Sequence, residues 1–341
     1  MKELSQSVSY DVRDGVAVLI SNNPPVNAMS YHVRQGLVDG LEMAQGDENV
    51  QAIVLHCRGR TFFPGMDITE FSNPTVPKAP TTTGVIERLE GASKPVIAAI
   101  HGTALGGGLE MALGCHYRVA APSAKLGLPE VKLGIIPGAG GTVRLPRVMG
   151  VQKALEMMTS GNPISARQAL AGGLVDEIVE GDLSSGAIAF AKKVVSENRP
   201  LVKIRDLNEK LEGARENPAI FDDFRKSIAR KTRGFKAPEA IIQSVEATVR
   251  LPFDEAIRNE RELFVECQTS PEARAQQYFF FAERQAKKIP DVPKDTPTRD
   301  IEKVGVIGAG TMGGGISMNF LNRGIPVTLL EATQEALDGG I

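Results

Sequence analysis

Cysteine is scarce in this chain, three residues among 341, and Cys57, Cys115 and Cys267 stand far apart. An odd, scattered set supplies neither a disulfide framework nor a CxxC metal motif, so buried reduced thiols are expected. Histidine is almost as rare. His32, His56, His101 and His116 show no HExxH-type spacing, which argues against a histidine-bound metal or a histidine-centred triad. An excess of charge is missing too: 39 basic against 41 acidic residues leave a formal net charge of −2. Neither nucleic acid nor an anionic membrane is attracted globally. Apolar runs are short, Val96–Ile100 being as long as they become, so no membrane span is expected. The N-terminus MKELSQSVSYD lacks the charged start and apolar core of a secretion signal. What remains is a soluble intracellular composition, 42% hydrophobic and 23% charged, long enough for more than one domain.

What the chain does have is alternation of strand and helix. Tyr10 to Ser21 reads as a hairpin turned by Asp14-Gly15. Ser30 caps a helix to about Gln45, with Val33, Leu37, Leu41 and Ala44 on one face. Apolar segments at Ala52–His56, Val96–Ile100, Tyr117–Ala120 and Val175–Val179 read as strands, with helices near Val85–Leu89, Leu109–Leu113, Thr142, Val151 and Ser165. This is α/β organisation with much of the sheet covered. From Leu183 to Lys288 the periodicity is mainly helical, and the run Tyr278 to Phe281 reads as packing of the last helix.

Ile289 to Asp300, with three prolines and many charges, reads as an exposed linker. Beyond it, a strand at Val304–Ile307 is followed by Gly308, Gly310 and Gly313 in GxGxxG spacing. A helical stretch, a strand at Val327–Leu330 and an acid, Glu331, complete the order of a dinucleotide-binding βαβ unit. Phosphates would sit at the helix N-terminus and Glu331 would accept from ribose hydroxyls. With two strands in its 39 residues the unit is expected to be incomplete and unable to carry a hydride transfer. The division expected is therefore 1–195, an α/β core; 196–288, a helical region with a linker helix; 289–302, a linker; and 303–341, the start of a Rossmann domain.

The densest chemistry lies between His101 and Gly141, where Glu110 and Glu130 stand beside two glycine clusters. Three glycines, Gly106 to Gly108, are a costly way to begin a helix, so bare backbone must be needed there. A strand, glycine turn and helix aim N–H groups and the positive helix end at one point, suited to a forming oxyanion. Gly107 can donate one N–H, and Met66, in the loop Phe63 to Asp67, can donate another. Glu110 lies in the first turn of that helix. Glu130 sits among apolar residues, and burial raises a carboxyl into the range useful for proton transfer. Two acids beside an oxyanion hole can activate water and move a proton next to a carbonyl.

Three separated stretches, GRTFFPGMDI, HGTALGGGLEMALGCHYRVA and LPEVKLGIIPGAGGTVRLPR, resemble the crotonase, or enoyl-CoA hydratase/isomerase, superfamily in order and spacing. NNPPVNA, the helix AQQYFFFAERQAKKIP, the linker and GAGTMGGG are similar to the multifunctional β-oxidation enzymes of peroxisomes and bacteria. In these a hydratase/isomerase half precedes a 3-hydroxyacyl-CoA dehydrogenase half. The resemblance implies a crotonase (ClpP-like ββα superhelix) core followed by helices and an incomplete Rossmann unit. It also implies hydration of trans-2-enoyl-CoA, with Δ3-Δ2 isomerisation, by a chain that ends inside the dehydrogenase domain. Met66 and Gly107 would be the oxyanion donors and Glu110 and Glu130 the acid/base pair. Gly138, Asp67 and Ala28 would line the substrate or water site. No metal or cofactor is implied for hydration, the CoA thioester being the substrate. NAD would serve only the full dehydrogenase half, through Gly308, Gly310, Gly313 and Glu331. Thr69 stands where some hydratases place a lysine toward the CoA phosphates, and the basic cluster Arg225, Lys226, Arg230, Lys231, Arg233 and Lys236 reads as a solvated face. The resemblance leaves a monomer or a crotonase-type trimer open, and implies the cytoplasm in a bacterium or the peroxisomal matrix in a eukaryote. A non-catalytic acyl-CoA-binding module, thioester hydrolysis or decarboxylation, and a genuine NAD-binding tail stay open as alternatives.

Overall fold

The computed structural model describes residues 1–67, 70, 79–286, 288–293 and 295–341, which form two units, 1–283 and 284–341. In the first unit the strands are β1 (Lys2–Glu3), β2 (Val8–Arg13), β3 (Val16–Ser21), β4 (Ala52–Cys57), β5 (Val96–Ile100), β6 (Thr103–Leu105), β7 (Tyr117–Ala120), β8 (Lys125–Gly127), β9 (Ile164–Ser165) and β10 (Glu177–Ile178). Seven make one sheet in the order β1-β2-β3-β4-β5-β7-β10, antiparallel up to β3 and parallel from there on. The hairpin turns where the Asp14-Gly15 pair predicts it, both residues taking positive φ (50° and 78°).

Helices cover both faces of the parallel part. On one side α1 (Tyr31–Gly46) and α2 (Thr82–Glu90) set Val33, Leu37, Leu41, Ile86 and Leu89 against Leu19, Ile53 and Leu55. The next two helices are α3 (Gly107–Leu113) and α4 (Gly141–Met149). They are followed by α5 (Val151–Ser160), α6 (Ala166–Gly172) and α7 (Leu183–Ser196). Helix α7 closes the other face with Ala187, Phe190, Ala191 and Val194 on Val18, Val54, Ile97 and Val119. A strand buried on both faces reads as a continuous apolar run rather than an alternating one, as VAVLI and VIAAI do. Each fully buried Leu or Ile contributes roughly 1.5–3 kcal/mol. Ser30 caps α1 by accepting from the Val33 amide.

A second, three-stranded sheet, β6-β8-β9, positions the chemistry. Strands β6 and β8 run parallel, with Leu105 opposite Gly127, and the Gly106 amide donates to the Gly127 carbonyl at 2.9 Å. The chain therefore leaves both strands at the same end, into the turn that starts α3 and into the 3-10 turn Glu130–Leu133. Each of these strands has three residues or fewer, too short to show a period, and none is foreseen from the sequence. The expected strand at Val175–Val179 is confined to Glu177–Ile178, the residues that pair with β7.

The chain continues in α8 (Glu212–Glu216), α9 (Ala219–Ile228), α10 (Ala237–Arg250), α11 (Phe253–Gln268) and α12 (Pro271–Ala286). Helices α10 and α11 pack on α4. Helix α12 buries Ala273 against Gly134, and Gln277 donates to the Leu133 carbonyl. Tyr278 and Phe279 face outward, 77% and 69% exposed, so these two do not form the packing expected of the run, whereas Phe280 is half-buried. Among the described residues no helix is long and apolar enough to cross a membrane.

In the second unit, β11 (Val304–Ile307) and β12 (Val327–Leu330) pair in parallel around α13 (Thr311–Leu321), with α14 (Gln334–Asp338) after them. Gly308 has φ +102°, and a Cβ on Gly313 would fall 1.8 Å from the Gly308 carbonyl oxygen. Both glycines are therefore required by the turn.

Candidate active site

Two loops meet at the start of α3. A Cβ placed on Gly108 would lie 1.9 Å from the Phe63 carbonyl oxygen, and one on Gly107 would touch Met29 and Met66 at 2.8 and 3.3 Å. Bare backbone lets the Phe63–Asp67 loop lie directly on the helix. The Leu105 amide bonds the Phe63 carbonyl at 3.1 Å, and Met29 and Met66 form a β-bridge. Gly65 takes φ +137°, a value closed to side chains, just before Met66. Gly107 is the first residue of α3, where an amide has no partner within its helix. The Ala28 loop joins the same assembly, because Asn27 Nδ2 donates to the Arg58 and Thr61 carbonyls at 2.6 and 2.9 Å. The Asp67 amide donates to the Met29 carbonyl at 3.4 Å, while Thr69 lies outside the described residues.

The acids approach from two sides. Glu110 is 4% exposed, and its Oε1 accepts from the Ala139 and Gly141 amides, both at 2.8 Å. Burial raises its pKa, while those two N–H groups and the Arg144 charge oppose the shift. Glu130 opens the 3-10 turn with its Oε1 against Gly106, where a Cβ would come within 2.8 Å. Gly106 has φ +55°, so both space and conformation require glycine there. The buried Glu130 Oε2 has no hydrogen-bond partner among the described residues. Burial first, then the Glu110 charge, push its pKa well above the ordinary carboxylate value. Such a shift favours the protonated form of the acid. Gly138 follows both acids in sequence, in the IPGAGG turn, and the Phe264 ring would be 2.5 Å from a Cβ there.

The enoyl-CoA hydratase/isomerase family profile matches residues 11–220, more than half of the chain. The chain belongs to the enoyl-CoA hydratase/isomerase family. A second profile, the NAD binding domain of 3-hydroxyacyl-CoA dehydrogenase, matches residues 303–341. Among curated relatives, the peroxisomal bifunctional enzyme of Cavia porcellus is 42% identical, over 95% of this chain and 45% of that protein. The glyoxysomal fatty acid beta-oxidation multifunctional protein MFP-a of Cucumis sativus is 38% identical over 96% of this chain and 46% of its own length. The chain thus spans about half the length of the curated relatives it matches. Among solved structures, enoyl-CoA hydratase subunit I of Geobacillus kaustophilus is 28% identical with a TM-score of 0.54, covering 85% of this chain and 99% of that one. The α/β core with helices on both faces is the fold this family implies.

In this member of the family, sequence reasoning passed over two charged groups at the site. Glu260, 1% exposed on α11, accepts from the Gly140 and Thr142 amides at 2.6 and 2.9 Å. Its signal was available, since it falls on the stripe of Ala256, Leu263, Phe264 and Cys267, where an acid has no place unless partnered. Arg144, on α4, pairs with Glu90 of α2 at 3.0 Å with both side chains buried, a contact between residues 54 positions apart that no local pattern announces. Part of the basic cluster is paired with acids: Arg225 with Asp222, Glu239 and Glu246, Lys226 with Asp223, and Lys236 with Glu266. In the second unit Glu331 accepts from the Ala309 amide at 2.7 Å, inside the glycine turn, and this bond holds its pKa down.

Proposed function

We propose that this chain adds water across the double bond of trans-2-enoyl-CoA thioesters, giving 3-hydroxyacyl-CoA, and also shifts the double bond between Δ3 and Δ2. The observation that carries the reading is the pair Glu110 and Glu130 beside the junction of the Gly107 and Met66 backbones. The thioester oxygen would accept from the Met66 and Gly107 amides, each donor contributing about 2.7–4 kcal/mol as charge builds on that oxygen. Glu110, held by two amides, would orient water and take its proton as oxygen bonds to C3. Glu130, whose proton is held by burial, would deliver it to C2, and a proton returning from Glu110 to Glu130 would close the cycle. Gly138 would offer its amide to the water, with Ala28 and Asp67 along the substrate path. For isomerisation Glu130 alone would carry the proton between C2 and C4.

Hydration needs no further group from this chain. Residues 303–341 have the conformation that suits a nucleotide diphosphate, with Gly308, Gly310 and Gly313 at the start of α13, and bound NAD would accept hydride in a dehydrogenation. Glu331 is positioned to order that turn. The domain reading that follows is a hydratase core to residue 195, helices to 288, a linker to 302 and a dinucleotide-binding segment beyond. The compartment reading follows the relatives, peroxisomal matrix in a eukaryote and cytoplasm in a bacterium.

Loss of the enoyl thioester absorbance of crotonyl-CoA tests the proposal. Glu130→Gln is expected to lower kcat by about 10²–10⁴ with ester binding retained, the usual range for a general acid or base. Wild-type turnover in that variant would sink the assignment. An inert wild-type chain that still binds the ester would instead make it an acyl-CoA-binding module.

A further inference from the structure

The turn into helix α4 carries four consecutive amides, Ala139 to Thr142, and two acids from distant parts of the chain divide them alternately. Glu110 Oε1 takes Ala139 and Gly141, Glu260 Oε1 takes Gly140, and Glu260 Oε2 takes Thr142. The Thr142 hydroxyl donates to the same Glu260 Oε2 and lies 2.6 Å from the Ser244 hydroxyl of α10. Thr142 and Ser244 are both fully buried, so Glu260 is tied to α4 and α10 by a closed chain of polar groups. One helical turn along α11, Phe264 packs its ring on Gly138. Helix α11 therefore touches the same turn that holds Glu110.

We propose that Glu260 is a positioning residue of this site: with Thr142 and Ser244 it fixes the Ala139–Thr142 turn, and through it the Glu110 carboxylate. The inference rests on the hydratase reading above. A helix start needs acceptors, yet a neutral serine or threonine at its cap would serve without burying a charge. Here two buried carboxylates share one helix end and face a third, Glu130. Arg144 is the nearby cation; it pairs with Glu90 through Nε and Nη2, and its charge also opposes the rise of the Glu110 pKa. From α10 the group facing Glu260 is the uncharged Ser244; the charges of that helix, Glu239, Glu246 and Arg250, pair with Arg225 or with one another. On α11 itself, Asp254 and Glu266 pair with Arg205 and Lys236. The pKa of Glu260 is raised to about 8 by burial and then by the Glu110 charge, and the charge it takes on above that pH raises Glu130 in turn.

Glu260→Gln keeps the length of the side chain, replaces one of the two oxygens that accept from Gly140 and Thr142 by an amide nitrogen, and removes the charge carried above about pH 8. The expected result is a kcat about tenfold lower at pH 7 with KM little changed. The alkaline limb of the kcat profile should move down by about one pH unit, as when a neighbouring like charge is removed. Ser244→Ala breaks the polar chain while leaving the acid, and should lower thermal stability without moving that limb. A Glu260→Gln profile that moves no further than that of Ser244→Ala overturns the proposal. Carboxyl carbon resonances of Glu110 and Glu130, followed by NMR in protein labelled at glutamate, supply a readout independent of turnover. The titration of Glu130 should fall to lower pH in Glu260→Gln, and an unshifted Glu130 titration refutes the role of Glu260 even if the chain proves to catalyse another reaction. Absence of hydration by the wild type, with the titration shift present, refutes the hydratase reading alone.

Discussion

Substituting alanine for Gly108 tests the geometry of the site without touching an acid. The new Cβ would stand 1.9 Å from the Phe63 carbonyl oxygen, against 3.4 Å for ordinary contact, and the obstacle is backbone that cannot rotate away. The Phe63–Asp67 loop must therefore retreat from α3 by about 1.5 Å, taking the Met66 amide away from the Gly107 amide. A misplacement near 1 Å costs on the order of 10²-fold in rate. Forcing the added methyl into a packed interior costs a further ~1–3 kcal/mol of stability. Crotonyl-CoA hydration should thus fall by about 10² in kcat. Gly46→Ala, at a helical position with no atom within 4 Å, should leave both activity and stability nearly unaltered. The reasoning is refuted by a folded Gly108→Ala protein with wild-type kcat, since the two amides would then be shown not to act together.

Other consequences follow from the buried charges. Glu110, Glu130 and Glu260 all have folded-state pKa values above the ordinary 4.5, Glu260 at about 8, so they favour the fold while protonated. Their stabilisation is full at low pH and is lost as pH rises toward 8. His56 and His116 act oppositely, depressed from 6.5 to about 4, but only below 6.5. Between pH 6.5 and 8 the free energy of unfolding by urea should therefore decline. Glu260→Gln should flatten that decline, and a rising stability across this window would contradict the assignment. At the Glu90–Arg144 pair, Glu90→Gln leaves a buried guanidinium uncompensated and should cost about 3–5 kcal/mol. Replacing both partners, as in Glu90→Gln with Arg144→Met, should recover much of that loss in the same unfolding measurement.

The parallel sheet was legible because each of its main strands is buried on both faces and reads as an unbroken apolar run. The helix from Ser30 was legible because its cap and its 3.6-residue stripe agree. At the site, Gly107, Glu110 and Glu130 could be singled out because glycine runs and apolar-flanked acids break local rules, and broken rules need a reason. The β6-β8-β9 sheet was not legible. Its strands are held by pairing across the fold rather than by any periodicity of their own. The aromatic run of α12 misled for a related reason: an apolar stripe tells which face can be buried, not whether a neighbour is there to bury it.

Glu260 shows how the two kinds of signal combine. Local sequence places an acid on an apolar helical stripe, which says only that a partner must exist. Its identity is fixed 118 positions away, where Thr142 and the preceding glycines expose amides that no side chain of their own turn can satisfy. Glycines at Gly138, Gly140 and Gly141 keep that turn bare, and bare amides attract carboxylates. A cradle that holds the Glu110 carboxylate has room for a second, because alternate amides of a helix start point to different sides of its axis. The same glycines that admit Glu110 therefore oblige the fold to supply a group for the remaining amides. Supplying an acid rather than a hydroxyl is what joins this structural need to the proton held at Glu130.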